Sequence, residues 1–88
     1  MANSKSAEKR VRQSVKRYAR NRWYRGRART FIKRARRFME AGEVESATEA
    51  VRHACRALDI AAQKRSIQPN NAARRKSRLM KALTRIEG

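Results

Sequence analysis

The sequence predicts an all-α fold, a three-helix bundle whose long basic first helix projects beyond the core. Three observations predict it. Helix-breaking residues are scarce, with one proline, Pro69, and three glycines, Gly26, Gly42 and Gly88, among 88 residues. No stretch alternates Val, Ile or Thr with polar residues in the manner of a half-buried strand. Apolar residues recur instead at spacings of three and four, which places them on one face of a helix.

The first helix is expected over residues 5–41, with Gly42 at its C-cap and Ser4 or Ser6 as its cap at the other end. Its buried stripe is Ala28, Phe31, Ile32, Ala35, Phe38 and Met39. Before Ala28 the stripe thins to Val11, Val15 and Tyr18, so the first half of the helix should stand clear of the core. A helix of about 36 residues reaches roughly 54 Å, longer than so small a bundle can cover. The second helix is expected over 44–65, with Ser46-Ala-Thr-Glu49 reading as a capping box and a start as early as Glu43 also open. Its stripe is Ala47, Ala50, Val51, Ala54, Leu58 and Ala61, small residues that permit close approach. A third helix is expected over 68–86, with Pro69 in its first turn and Ser66, Gln68 or Asn70 as its cap. Ala72, Ala73, Leu79, Met80, Leu83 and Ile86 form its stripe. The whole chain reads as a single domain, with residues 1–27 a basic arm and 28–88 the bundle.

Charge is the dominant compositional feature. Lys and Arg number 25 against 7 Asp and Glu, for a net charge of +18. Such self-repulsion in a small chain calls for an anionic partner. Residues 1–39 carry 15 basic side chains and one acid, Glu8, whereas residues 40–60 are net acidic and residues 61–88 are basic again. Between Lys5 and Arg37 a basic residue falls at about every second position, so the charge surrounds the helix. A merely solvated helix would carry acids three or four residues from its bases, and this one does not. Arg outnumbers Lys by 18 to 7. Its planar fork grips phosphate in two-point fashion, but a GC-rich coding genome produces the same bias without function, so the missing acids carry the inference. Lys5, Lys9, Arg10, Arg12, Lys16, Arg17, Arg20, Arg22, Arg25 and Arg27 are therefore candidate phosphate contacts. Tyr18, Trp23 and Tyr24 lie among them, either as a cluster packed on the bundle or, for Trp23 above all, as a stacking surface for bases.

Several function classes are excluded on the same evidence. His53 and Cys55 point apart on a helix and cannot build a zinc site by themselves. The carboxylates are scattered, and no glycine-rich phosphate loop is present, so neither catalysis nor a cofactor is expected. One cysteine forms no internal disulfide and suits a reducing cytosol. No apolar run approaches the roughly 20 residues that span a bilayer, and residues 5–27 lack the broad apolar face of a membrane-surface helix. A DNA-compacting protein would carry similar charge, but neither helix-turn-helix spacing nor dimerisation heptads are apparent.

The opening Met1-Ala-Asn-Ser-Lys-Ser-Ala-Glu-Lys-Arg10, the run Arg29-Thr-Phe-Ile-Lys-Arg34, the Ala41-Gly42 turn and the segment Ile67 to Leu79 together resemble the bacterial small-subunit ribosomal protein family numbered twenty. The likeness spans essentially the whole chain. It implies a three-helix bundle with a long basic N-terminal helix, direct binding to small-subunit ribosomal RNA early in assembly, and a place near the base of the particle. Partners follow from it: ribosomal RNA and the small subunit, with the protein a monomer in the cytoplasmic particle, and no membrane or small-molecule substrate. Position by position, Asn3, Lys5, Ser6, Lys9 and Arg10 match the family's N-terminal RNA-contacting segment. Arg29, Lys33 and Arg34 match its central basic cluster, and Asn70, Ala72, Ala73, Arg74 and Lys76 match the start of its last helix, where Arg75 and Arg78 complete the candidate set. The family motif beginning at Ala2 implies that this Arg-rich start is retained and is not a transit peptide. Three departures stand out: Glu8 where Lys is common, Gln68-Pro69 in place of His-Lys, and Lys64-Arg65 without the glycine that often ends the second helix.

Overall fold

Residues 4–87 are described by the computed structural model. Within them α1 runs Lys5–Glu40, α2 Val44–Gln63 and α3 Pro69–Glu87, and no strand is present among the described residues. Ser4 starts α1 from an extended backbone, its Oγ accepting the Ala7 N–H at 3.2 Å. Glu8 stands in that first turn, where a carboxylate offsets the partial positive charge of the free N–H groups. The acid that departs from the family pattern thus supports the helix start.

The two turns between helices have the same architecture. At the end of α1, Gly42 N–H bonds Met39 O and Glu43 N–H bonds Phe38 O, at 3.1 and 3.0 Å. At the end of α2, Arg65 N–H bonds Ala62 O and Ser66 N–H bonds Ala61 O, at 3.0 and 2.8 Å. Both are Schellman motifs, which require a left-handed residue after the cap. Gly42 supplies it at φ +73°, and Arg65 supplies it at φ +60°. Arg65 therefore occupies a conformation that disfavours any side chain with a Cβ, at the place where the family often has glycine.

The expected capping box at Ser46 does not form. Glu43 occupies the N-cap of α2 with no side-chain cap bond, and Ser46 lies inside the helix. The α1 turn explains this, because it consumes the Gly42 and Glu43 N–H groups and the chain re-enters helix at once. Pro69 is the first residue of α3, as its fixed φ favours, and Ala72 N–H bonds Gln68 O to close the first turn. Ser66 does not cap α3. Its hydroxyl donates to the Asn21 carbonyl at 2.6 Å, tying the second turn to α1.

Helix α2 lies in the middle. It packs along α1 on one side and α3 on the other, while α1 and α3 meet only slightly. Ala47, Ala50, Val51, Ala54, Ala57, Leu58 and Ala61 of α2 are buried, with Ala28 and Ala35 of α1 and Ala72 and Leu79 of α3. Phe31, Ile32, Phe38, Met39, Cys55 and Leu83 pack around them, half-buried. Two residues assigned to the α3 stripe are not in it. Met80 is 57% exposed and Ala73 is also exposed. A helix that touches one neighbour buries a single narrow row, here Ala72, Leu79 and, in part, Leu83 and Ile86. Positions one residue on are turned about 100° away. Burial pushes the half-buried Cys55 thiol above its ordinary pKa; Asp59 adds to the rise and Lys76 opposes it.

N-terminal to Asn21, nothing among the described residues covers α1. From Ser4 to Arg20 every residue except Ala7 is exposed, Val11, Val15 and Tyr18 included. The projecting segment draws the molecule out to 64 × 21 × 15 Å.

Candidate nucleic-acid interface

The helical repeat decides which cations meet. On the arm, Lys5, Lys9, Arg10, Arg12, Lys16, Arg17 and Arg20 are all exposed and distributed round the helix, with Ser6 beside them. Asn3 lies outside the described residues. Among the described residues Lys76 is the one Lys or Arg with a carboxylate within 4.0 Å. Its Nζ sits 2.9 and 3.2 Å from the two Asp59 oxygens, and that hydrogen bond raises its pKa above the usual lysine value, with burial opposing weakly. Lys76 is thus a tie between α2 and α3 before it is anything else.

Because α1 and α3 scarcely touch, a groove of about 310 Å³ remains between them. Arg29, Lys33 and Arg36 line it from α1, Arg75 and Arg78 from α3, and Ile32 and Leu79 form its apolar floor. Five cations converge there with no carboxylate in the lining. In water, two unit charges about 4 Å apart repel by about 1 kcal/mol, and by more where the surroundings are less polar. An anion entering the groove relieves that repulsion and finds four guanidinium forks shaped for phosphate. Arg36 was absent from the sequence-derived set. Its signal was available, since positions 29, 33 and 36 share one helix face. Arg34, grouped in sequence with Lys33, is carried to another face by the same geometry.

On that other face, Arg22, Trp23, Arg27 and Arg34 surround a second, shallow hollow. The Arg27 guanidinium stands 5.7 Å from the Trp23 ring centre and 5.5 Å from that of Phe31, and Arg34 stands 5.6 Å from Phe31. Phe31 in turn stacks against His53 at 5.9 Å. Tyr24 meets Trp23 edge to face at 4.9 Å and is half-buried, whereas Trp23 is 59% exposed. Of the two readings open for the aromatics, Tyr24 takes the packing one and Trp23 remains available to a partner. Arg25, Asn70 and Arg74 are exposed and belong to neither hollow.

The acids gather elsewhere. Glu40 ends α1, Glu43, Glu45 and Glu49 open α2, and Glu87 ends α3, its Oε1 3.5 Å from the Thr48 hydroxyl. Five of the seven acids therefore occupy the end of the molecule opposite the arm.

An elongated all-α molecule with one acidic end and, among the described residues, cations nearly all without a carboxylate partner over the rest is a small basic helical protein whose surface charge and shape suit a polyanion. Comparison with known proteins narrows that class. The sequence profile described as ribosomal protein S20 matches residues 2–84. The small ribosomal subunit protein bS20 of Thermomicrobium roseum is 56% identical over 81 residues, covering 92% of this chain and 82% of that protein. Those of Maridesulfovibrio salexigens and Campylobacter curvus are 46% and 41% identical, each covering 98% or more of both chains. The chain belongs to the ribosomal protein S20 family.

Proposed function

We propose that this chain is a structural, non-catalytic component of the small ribosomal subunit that binds small-subunit ribosomal RNA directly, as a monomer within the cytoplasmic particle. The observation that carries the reading is the groove between α1 and α3, where Arg29, Lys33, Arg36, Arg75 and Arg78 converge with no carboxylate in the lining. Family membership supports the choice of partner. The arm, whose described residues form no ion pair, runs between RNA helices and neutralises phosphates that otherwise hold them apart. The groove grips a backbone at the base of the arm, and the acidic end faces away from the RNA. A-form RNA offers side chains no readable major groove, so recognition rests on shape, phosphates and 2′-hydroxyls.

Titration against in-vitro transcribed small-subunit ribosomal RNA, with duplex DNA as competitor, tests this. With six to ten phosphates neutralised, affinity falls by about three to five orders of magnitude between about 50 and 200 mM salt, and duplex DNA of equal phosphate concentration displaces the protein poorly. A flat salt dependence, or displacement by DNA as effective as by RNA, would sink the proposal.

A further inference from the structure

Gly26 lies inside α1, where glycine weakens a helix relative to alanine. Nothing in the protein calls for it. Its backbone is not left-handed, and a Cβ built there meets no atom within 4 Å. The position forms the floor of the shallow hollow beside Trp23, three residues before it on the same face, and Thr30, four residues after it. Thr30 folds its hydroxyl back onto the Gly26 carbonyl at 3.0 Å, which keeps that side chain's polar end against the backbone. The result is a bare strip of main chain walled on one side by an exposed indole. Arg22, Arg27 and Arg34 rim it, two of them held over aromatic rings and none, among the described residues, with a carboxylate partner.

We propose that this hollow is a subsite for one unstacked nucleotide of the RNA. Its base lies on the Trp23 ring, its sugar–phosphate backbone crosses Gly26 at a distance that a side chain would forbid, and its phosphate meets the arginine rim. The inference rests on the RNA-binding reading above. Each component is needed for this occupant: a flat apolar surface for the base, an absent side chain for the backbone, and unpaired cations for the phosphate. Stacking tolerates any base, so the subsite selects an exposed nucleotide, such as one in a loop or bulge, and not a particular letter. A paired nucleotide inside a duplex could not present its face.

Trp23 is the one tryptophan in the chain, so its emission reports on the subsite directly. Titration of the full chain with in-vitro transcribed small-subunit ribosomal RNA should quench that emission. Trp23→Ala should weaken binding by about 5- to 100-fold, the range for losing one base–aromatic stack. Gly26→Leu separates a binding role from a structural one. It should raise the thermal midpoint of the free protein by roughly 3–6 °C, through better helix propensity, while weakening RNA binding about fivefold or more. Unquenched emission, or a Gly26→Leu variant that binds as tightly as the parent, overturns the subsite. If the parent still binds with a steep salt dependence in that case, the RNA-binding reading survives and only the subsite fails. A parent that does not bind this RNA defeats both.

Discussion

The two halves of α1 share one backbone ladder and yet owe their helicity to different physics. From Asn21 onward the helix lies on α2, with Ala28 and Ala35 fully buried and Ser66 bonded to the Asn21 carbonyl. From Lys5 to Arg20 it has seven basic side chains, one acid and no packing partner. Packing supplies most helix stability in proteins, so the outer half relies on the Ser4 cap, Glu8 and good helix formers against the repulsion of its own cations. Core stability is thereby separated from the outer half, which can be altered without touching the core, whereas the inner half carries both the core contacts and the cations Arg29, Lys33 and Arg36 of the proposed interface.

The largest expected effect comes from removing the outer half. Deleting residues 5–20 should cost several kcal/mol of RNA affinity and lower the salt slope by about 0.7–0.9 per lost phosphate contact. The thermal midpoint should hold or rise, because seven cations leave and no buried residue does. Calorimetry and filter binding on one preparation read both quantities, and an unfolded truncation would refute the separation. Next comes the reciprocal change. Leu58, the largest fully buried side chain, should cost about 2–5 kcal/mol of unfolding free energy when replaced by alanine. The salt slope for RNA should stay as in the parent, measured where the variant is folded.

Smaller changes sharpen the comparison. Arg65→Gly relieves a left-handed arginine and should stabilise the packed half by about 1 kcal/mol in denaturant melts. No gain in the midpoint would mean that the φ +60° conformation is held without strain. The smallest effect is at the tip. Ser4→Ala removes a cap worth about 1 kcal/mol locally, so helix content by circular dichroism should fall slightly while the thermal midpoint stays put. A midpoint that moved with it would show the arm folding as one unit with the bundle.

Much of this was legible in the residues. Scarce breakers, Gly42 and Pro69 placed three helices within a residue or two of their ends, since those signals act through local backbone geometry. The α2 stripe was readable because α2 is covered on both sides and buries a regular row. The stripe of α3 was overread at Ala73 and Met80, and the capping box at Ser46 was misplaced, because both depend on what the neighbouring element does. The spacing of Arg36 from Arg29 and Lys33 is visible in the sequence but has no meaning there, for the partner cations Arg75 and Arg78 lie some forty residues away in the chain.

By itself the sequence determined the fold class, the projection of α1 beyond the core and the demand for an anionic partner, because helix propensity, periodicity and net charge are properties of the chain before it folds. Only the tertiary structure decided where the cations meet. By placing α2 between α1 and α3 and leaving the outer helices apart, it made a groove from two distant charge clusters. It also tied Lys76 to Asp59 and gathered five carboxylates at the far end of the molecule. Convergence of side chains distant in sequence is set by how helices pack, and no local pattern encodes it.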